Sequence, residues 1–453
     1  MIVSKIKLSD IEFNRIEPEF YQPKFLKAKE QSGNKLLFEY GVKVIHPAET
    51  KRIYSKDGKL RIIFAQNVRD NIMDWTVSQF MDSSKLPIIE RNKLETNDVL
   101  VTRSGANFGQ TSVITYEPSQ ENLFACADIL ILKPGIIGGP LLSTFLNSIV
   151  GKLLMIRGVY GAGLPHVAPL YISQIPFPEY LLISKNKIEE LLLESRRKQS
   201  ASQTLYLEAT HLLEKELFLK DLQFNTQTSF PTKLNNVVNS QRIDSNHFMP
   251  KFTQLIEHIK TNFNYSFLGN LTLLNSRGVQ PIYILDGDKK VVTSQHITQT
   301  HLKFDSLEKT SKSFFIKSTE AQIKYGDILI YSTGAYVGQT NCYLMDEISL
   351  ASNHVNILRL NTKEIDSAYV ALLLNSTVGK LQTEMHIRGS AQAELYPSDI
   401  AKFIVPLLDK KIMKEIGDYV RKSFIALKES KILLDQAKTE VESLIENAVI
   451  KAS

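Results

Sequence analysis

The chain has few residues that could build a disulfide or metal framework. Only two of its 453 residues are cysteine, Cys126 and Cys342, and they stand at non-matching points of the internal repeat described below. A duplicated framework would place them at matching points, so we expect reduced, inert thiols in a cytoplasmic protein. The nine histidines show no spacing typical of metal ligands, and we predict no metal site.

Long apolar runs are also missing. No stretch approaches about 18 apolar residues without a charge, which predicts that the chain does not span a membrane. The segment 1–7 lacks the apolar core of a signal peptide. Both absences favour a cytoplasmic location.

Sequence motifs for catalysis are absent too. A methyltransferase would need a glycine-rich cofactor turn and an Asn/Asp-Pro-Pro-aromatic motif, and neither occurs. No carboxylate pair followed by a lysine stands on a convincing strand for nuclease chemistry. We therefore expect no enzyme activity, no catalytic residue and no cofactor in this chain. The formal charge of +6 permits an anionic partner without requiring one.

The most informative feature that is present is an internal repeat. A strand and glycine turn at 98–111 returns at 327–340, where Gly334 and Gly338 answer Gly105 and Gly109 at an offset of 229 residues (334 − 105 and 338 − 109). Further blocks return in the same order at nearly the same offset, which predicts two copies of one unit of roughly 225 residues. These blocks are 15–17 with 242–244, 23–25 with 250–252, 129–133 with 355–359, 146–153 with 374–381, 156–158 with 387–389, and 175–176 with 405–406.

Each copy divides into a globular part and a long helix. Residues 1–182 and 242–408 mix short apolar strands with turns, and each contains a predicted core helix, at 139–146 and 365–381. The segments 183–222 and 409–453 carry apolar residues at alternating steps of three and four, which predicts long helices, and Asp409 is placed to cap the second. Residues 223–241 read as a polar linker. The predicted fold class is α+β, with two tandem mixed α/β domains, each followed by a long helix.

Two matching apolar stripes are best buried against each other. We therefore expect the two long helices to pack as an antiparallel coiled coil with pseudo-twofold symmetry. The first stripe is polar in its middle, at Gln199 and Ser202. These residues can belong to a partner surface or to a polar layer that sets the register of the helices, and the sequence leaves both open.

The glycine turns admit two interpretations. Each follows a strand, as a phosphate-binding loop does. However, three residues separate the glycines where a P-loop has four, and Gln110 and Gln339 stand where its lysine would be. We favour a tight turn required by the fold.

A second duplicated loop carries side chains suited to reading DNA. It runs from Arg157 to His166 in the first copy and from Arg388 to Leu395 in the second, and its residues differ while the framework matches. Arginine can bind guanine, glutamine can bind adenine, and tyrosine can stack. The alternative is that each arginine pairs with a carboxylate inside its own domain. The candidate DNA-contacting residues of the turns and loops are Arg103, Ser104, Asn107, Gln110, Arg157, Tyr160, His166, Tyr331, Ser332, Tyr336, Gln339, Arg388, Ser390 and Gln392.

With this ordered and duplicated set of motifs, the chain resembles the specificity subunits of type I restriction–modification systems. The strand-plus-glycine turn, the Leu-Asn-Ser block before a glycine, and the Gly-Ser-x-Gln-x-x-Leu loop at 389–395 are typical of the target-recognition domains of that family. The resemblance covers essentially the whole chain. The first copy departs from this pattern: it lacks the Ser-x-Gln of the loop and reads Gly158-Val159-Tyr160-Gly161, so the role of the motif is carried over to the second domain only.

The resemblance implies a non-catalytic DNA-binding protein of phage defence. Its target-recognition domains, 1–182 and 242–408, would each bind half of a split double-stranded DNA target, and the helices would fix the gap. Two DNA methyltransferase subunits would dock on the helices for adenine methylation, and restriction–translocase subunits would join them. S-adenosylmethionine, ATP and Mg²⁺ would be needed only in those partners. The candidate subunit-contact residues are Gln199, Ser202, Tyr206, Leu213, Leu427, Leu434, Val441 and Leu444.

Three alternatives stay open. Within the same class, the partner methylase and nuclease can share one polypeptide. A coiled-coil scaffold for protein partners, without DNA specificity, predicts weak and salt-independent DNA binding. An enzyme with a degenerate phosphate loop predicts a rise in melting temperature on adding nucleotide.

Overall fold

The computed structural model describes residues 6–452 except 8–10, 13–14, 50, 52, 56, 76–78, 83, 85–88, 106–107, 116–121, 162–164, 225–226, 228 and 390–391. The candidate residues Asn107 and Ser390 therefore lie outside the described residues. The chain divides into two compact units. Unit 1 comprises Met1–Lys198 with Lys428–Ser453, and unit 2 comprises Gln199–Leu427.

Unit 1 contains the first copy of the repeat. Its strands are β1 (Lys43–Ile45), β2 (Leu60–Ile63), β3 (Val68–Arg69), β4 (Ile72–Met73), β5 (Gln79–Met81), β6 (Val99–Thr102), β7 (Thr111–Val113), β8 (Leu123–Ala125), β9 (Ile129–Lys133), β10 (Val159–Tyr160) and β11 (His166–Val167). Its helices are α1 (Pro23–Gln31), α2 (Gly139–Asn147), α3 (Ile149–Arg157), α4 (Pro169–Ser173) and the first part of α5 (Lys185–Glu216).

Two sheets form the core of unit 1. An antiparallel sheet has the strand order β1-β9-β6-β7, and a mixed sheet has the order β5-β2-β8. The central strands β6 and β9 are apolar at nearly every position because both of their faces are covered. Helix α2 packs on one face through Leu141 and Phe145, which are fully buried.

Unit 2 contains the second copy. Its strands are β12 (Tyr265–Phe267), β13 (Thr272–Arg277), β14 (Lys289–Val292), β15 (Glu308–Thr310), β16 (Gln322–Ile323), β17 (Ile328–Tyr331), β18 (Thr340–Cys342), β19 (Ser349–Ala351), β20 (Val355–Leu360) and β21 (Ile404–Pro406). Its helices are α6 (Leu234–Ser240), α7 (Pro250–Asn262), α8 (Leu268–Leu271), α9 (Lys312–Lys317), α10 (Ser367–Asn375), α11 (Thr377–His386), α12 (Pro397–Ile400) and the first part of α13 (Lys410–Ala452).

The strand order of unit 2 repeats that of unit 1, with one additional edge strand, β16, among the described residues. One sheet has the order β13-β20-β17-β18, and the other has the order β15-β14-β19-β16. β14 pairs with β19 in parallel, as β2 pairs with β8. The α+β fold with two tandem copies of one unit, predicted from the sequence repeat, is confirmed.

The predicted core helix at 365–381 is instead two helices, and this prediction was wrong. α10 ends at Asn375 and α11 begins at Thr377, because the Ser376 side chain between them accepts a hydrogen bond from Val378 N (3.2 Å). Ser148 ends α2 and caps α3 in unit 1 in the same way. A serine hydroxyl that binds the backbone of a new first turn starts a helix.

The predicted cap of the last helix is confirmed. Asp409 accepts a hydrogen bond from Lys411 N (2.8 Å) at the start of α13. The predicted polar linker contains one short helix, α6. Among the described residues no single helix is long and apolar enough to cross a membrane, and α2 with α3, bent by 77°, passes only as a pair, by length and composition.

The long helices pack antiparallel in each unit. In unit 1, Lys187 pairs with Glu440 (2.7 Å) and Lys198 with Glu429 (2.7 Å), so the residue numbers rise on α5 as they fall on α13. Ser195 donates to Ser430 O (3.0 Å) in the same seam.

Unit 2 has a matching serine pair. Its two segments of α5 and α13 share a buried core that includes Leu213 and Ile416, and the hydroxyls of Ser202 and Ser423 lie 3.1 Å apart. Ser423 also donates to Ser202 O (2.8 Å). Of the two interpretations left open for Ser202, the polar layer inside the helix pair is the one that the structure contains.

Candidate nucleic-acid interface

Each unit brings its glycine turn and its arginine loop together. In unit 2, Leu395 N donates to Ser332 O (2.9 Å) and Gly334 N donates to Ala393 O (3.0 Å). In unit 1, Ser104 and His166 form an isolated β-bridge. The two duplicated loops that stand out in the sequence therefore form one surface element in each unit, beyond the ends of β6 and β17.

The glycine turns are closed by their own backbone. Gly338 N donates to Tyr331 O (2.9 Å), and Gly109 N donates to Thr102 O (3.0 Å) at the matching point of unit 1. Gly338 has a φ of +94°, and a Cβ there would lie 2.6 Å from Thr383 Cγ2. The turns are thus the tight turns that we favoured over a phosphate-binding loop.

Tyr336 is the most exposed candidate of the unit 2 turn. It is 62% exposed, and its ring meets that of Tyr331 edge to face at 6.2 Å. Ser332 is fully buried, and its hydroxyl has no hydrogen-bond partner among the described residues. Gln339 is half-buried. We therefore regard Tyr336 as the side chain of this turn that is placed to touch a ligand.

The unit 1 turn carries a cation. Arg103 is half-buried, and its Nη1 lies 3.2 Å from Nε2 of His46. Burial, and next the Arg103 guanidinium, lower the pKa of His46, whose Nε2 also lies 3.2 Å from Ala127 O. Ser104 donates to Asp128 (3.4 Å), and the side-chain oxygen of Gln110 accepts from Arg69 (3.4 Å). The predicted turn residues of unit 1 are thus held in a polar network.

Tyr160 and His166 come together on the arginine loop of unit 1. They are paired in the β10–β11 ladder, with ring centroids 6.1 Å apart. Tyr160 is exposed, and Nδ1 of His166 is buried without a hydrogen-bond partner among the described residues. The exposed ring of Tyr160 is therefore the part of this pair that can contact a base, whereas the buried Nδ1 of His166 cannot.

Arg157 is removed from the candidate DNA contacts. Its guanidinium is buried, binds both carboxylate oxygens of Glu12 (3.0 and 3.1 Å) and lies 3.9 Å from the ring centroid of Phe20. Burial alone would raise the pKa of Glu12, but hydrogen bonds from Arg157 and Lys29 hold it below its usual range. The alternative interpretation, a carboxylate pair inside the domain, is therefore the correct one for Arg157.

Arg388 is also paired but stays at the surface. Its Nε and Nη2 each donate to Asp399 (2.8 Å), while its side chain is 47% exposed. Its backbone exchanges two hydrogen bonds with Glu394 (2.9 Å each), which closes the loop, and Gln392 is exposed at the tip. Arg388 therefore anchors the loop, and Gln392 is the described side chain most free to reach a ligand.

A positioning network of unit 2 escaped the sequence analysis. Arg277 at the end of β13 donates to Glu394 (2.6 Å) and Leu395 O (3.2 Å), and it lies 4.8 Å from the ring centroid of Tyr396. The Tyr396 hydroxyl donates to Glu394 (2.5 Å). The position of Glu394 inside the loop motif indicates that a cation should lie beside it. Nothing in the sequence identifies Arg277 as that cation, because it is 117 residues away in the chain.

Most candidate subunit-contact residues are enclosed in the chain's own helix pair. Five of them are at most 9% exposed, so they are not available to a partner subunit, and this prediction is corrected. A residue on the seam of two antiparallel helices faces the opposite helix. The hydroxyl of Tyr206 donates to Gln299 O (2.7 Å), and Gln199 and Leu444 are half-buried. The five enclosed residues are Ser202, Leu213, Leu427, Leu434 and Val441.

Metal-binding clusters are absent from the part of the chain that the structure describes, where no group of three or more His, Cys, Asp or Glu could hold an ion. Cys126 and Cys342 are both buried and unpaired with each other. Burial raises the pKa of Cys342 to about 12, which keeps the thiol protonated and unreactive.

Comparisons with known proteins find similarity only among solved structures. No family model matches the sequence, and no curated protein does. The type I restriction–modification S subunit from M. genitalium aligns over 91% of this chain and 94% of its own, at 12% identity and a TM-score of 0.46. The HsdS subunit from Thermoanaerobacter tengcongensis aligns over 91% and 96%, at 12% identity and a TM-score of 0.28.

A third structure, from work on complex assembly and conformational transition of the type I R-M system, aligns over 91% and 97%, at 11% identity and a TM-score of 0.30. All three similarities lie below 25% identity and below a TM-score of 0.5.

Proposed function

We propose that this chain is the non-catalytic specificity subunit of a type I restriction–modification system, in which each unit reads one half of a split DNA target. The observation that carries the proposal is one surface, built twice with different side chains. Ser332 stands where unit 1 has Arg103, and the exposed Tyr336 stands where unit 1 has Asn107. A constant framework with exchanged contact residues suits two readers of unrelated sequences.

The partners follow from this role. The chain acts with DNA methyltransferase subunits and restriction–translocase subunits in the cytoplasm, and double-stranded DNA is the ligand. S-adenosylmethionine, ATP and Mg²⁺ belong to those partners. A methylase and nuclease fused in one polypeptide would serve the same role, and the genes beside this one distinguish the two arrangements.

Exchange of one reader tests the proposal. Replacing residues 15–180 with the matching segment of a homologous reader of known half-site should change one half of the methylated target and leave the other half unchanged. Sequencing of methylated bases in the host genome reads out both halves at once. A change in both halves of the target would contradict the proposal that each unit reads one half.

The salt dependence of DNA binding separates this function from a protein scaffold. Binding through phosphates releases counterions, so the affinity of the purified complex should fall by about 10³-fold or more between 50 and 200 mM salt if some six phosphates are contacted. A fluorescence-anisotropy titration against target and scrambled duplexes measures it. Weak binding that is independent of both salt and sequence would favour the scaffold.

A further inference from the structure

One ion pair lies beside the glycine turn of unit 2. Arg277, the last residue of β13, donates from Nη1 to Glu394 (2.6 Å), and both side chains are 27% exposed. Glu394 also forms an isolated β-bridge with Thr333, which stands two residues beyond the end of β17. The ion pair is therefore in contact with the turn that we propose to bind DNA.

Glu394 is charged but only loosely bound by the guanidinium. Hydrogen bonds from the Tyr396 hydroxyl (2.5 Å) and next from Arg277 lower the pKa of Glu394 below its usual range, so the carboxylate is ionised at neutral pH. Arg277 offers it one nitrogen, because Nη2 donates to Leu395 O (3.2 Å) and Nε has no hydrogen-bond partner among the described residues. A single-point contact that is partly in water is weaker than a bidentate one.

The shared framework does not require this ion pair. In unit 1 the matching β-bridge joins Ser104 to His166, which stands where unit 2 has Glu394. The register of β13 on β20 and of β1 on β9 likewise matches Arg277 with His46. Two histidines thus replace the arginine and the carboxylate, and the loop still meets the turn. The pair is a feature of unit 2 and not a condition of the fold.

A neighbouring ion pair of the same loop is fixed in place. Arg388 donates from Nε and Nη2 to Asp399 (2.8 Å each), and the side chain of Asp399 is 1% exposed. That carboxylate is enclosed, so it stays on Arg388. Glu394 is partly in water instead, and its release would leave Nη2 of Arg277 on Leu395 O. Arg277 is therefore the arginine whose anionic partner can change.

We propose that Glu394 occupies the place of a DNA phosphate on Arg277, and that DNA binding by unit 2 replaces the carboxylate with a phosphodiester oxygen at Nη1. A guanidinium group binds carboxylates and phosphates with matching geometry. Resting on the proposed function, Arg277 contributes affinity and no sequence recognition. Glu394 is an internal competitor that lowers the affinity of this unit for any duplex.

The salt dependence of DNA binding tests the phosphate contact. The full chain, purified with the methyltransferase from the neighbouring gene, is titrated by fluorescence anisotropy with target and scrambled duplexes at several salt concentrations. Arg277→Gln should weaken binding to both duplexes by the same factor and reduce the slope of log affinity against log salt by about 0.9. Arg277→Lys keeps a charge at this point and should retain the slope.

Two further variants test the competition. Glu394→Gln should strengthen binding to both duplexes by about threefold or more at low salt, because a neutral amide holds Arg277 less tightly than a carboxylate does. Tyr396→Phe changes no charge but removes a hydrogen bond that keeps Glu394 in place, so it should strengthen binding by about twofold. Simple repulsion between Glu394 and DNA would leave the affinity of Tyr396→Phe unchanged.

A second ion pair of unit 2 supplies the matched control. Lys290 and Glu347 pair at 2.8 Å with side chains that are each 40% exposed, and Glu347 follows β18 whereas the glycine turn precedes it. Glu347→Gln removes the same charge beyond the opposite end of β18 and should leave the affinity unchanged. Thermal unfolding of each complex verifies the fold. Glu394→Gln and Tyr396→Phe keep the side-chain shape, so they test the competition even if Arg277→Gln does not fold.

The possible outcomes separate this inference from the proposed function. An unchanged salt slope for Arg277→Gln would overturn the phosphate contact, as would a loss confined to the target duplex, which would make Arg277 a base reader. Weaker binding by Glu394→Gln, or unchanged binding by Tyr396→Phe, would overturn the competition. A wild-type complex that binds target and scrambled duplexes equally contradicts the proposed function, while its salt slope still tests the phosphate contact.

Discussion

At the scale of single residues, the matching arginines of the two units lie in different environments. Arg157 is enclosed and binds Glu12, whereas Arg388 binds Asp399 at the surface. The same position therefore serves stability in unit 1 and loop anchoring in unit 2. An Arg-Gly motif cannot reveal this difference, because Glu12 and Asp399 come from non-matching parts of the repeat.

Loss of the two arginines should have unequal costs. Arg157→Ala leaves a carboxylate without its buried partner and should lower the free energy of unfolding by about 3 kcal/mol. Each carboxylate keeps a lysine partner, Lys29 for Glu12 and Lys402 for Asp399. Arg388→Ala should nevertheless cost less, since the Arg388 side chain is half in water whereas that of Arg157 is enclosed. Chemical unfolding followed by circular dichroism compares them. Equal losses would contradict the assignment of Arg157 to the interior.

A buried histidine predicts how the stability of unit 2 depends on pH. Burial, and next the neighbouring His247, lower the pKa of His386 from 6.5 to about 4; the two ring centroids lie 5.6 Å apart. Between these values the unfolded chain binds a proton that the folded chain does not, so stability falls as the pH drops through this window. The melting temperature should therefore fall from pH 7 to pH 4.5.

Unit 1 supplies the control, because Met155 occupies the position of His386. His386→Met should flatten the decline of the melting temperature between pH 7 and pH 4.5. Parallel curves for the two proteins would show that His386 does not titrate as its surroundings indicate.

At the scale of elements, the sequence repeat predicts strands and turns better than helix breaks. An aspartate directly precedes both β6 and β17, and a glycine turn follows each, so each copy corroborates the other. The break at Ser376 was missed because the apolar pattern continues across it. Similarly, Ser195 and Ser202 interrupt the apolar heptad pattern of the first long helix. The structure explains them, because each lies beside a serine of the second long helix.

The serine layer of unit 2 should behave as a coupled pair. Ser423→Ala leaves the buried Ser202 hydroxyl without its partner and should cost about 1 kcal/mol of unfolding free energy. Ser202→Ala together with Ser423→Ala should cost less than the sum of the single substitutions, by about 0.5 kcal/mol or more. A double-mutant cycle by chemical unfolding measures the coupling. Strict additivity would mean that the two hydroxyls do not interact.

At the scale of the whole molecule, duplication is the property from which the function follows. Each unit joins a glycine turn to an arginine loop, with different side chains. The sequence could predict the first juxtaposition because both loops recur as blocks. It could not predict which side chains are exposed, since Arg157 and Ser332 are enclosed by residues far away in the chain. The sequence cannot predict the recognised DNA bases either, because base recognition depends on how the domain docks on DNA.

The most direct test of the two-reader function is the methylated sequence. The chain is co-expressed with the neighbouring methyltransferase, and methylated bases of the host genome are mapped by sequencing. Two short specific halves around a gap of fixed length and arbitrary sequence are expected. A continuous motif, or no methylation by a purified complex that contains the methyltransferase, would contradict the two-reader function. Either result would favour the alternative of a coiled-coil scaffold for protein partners.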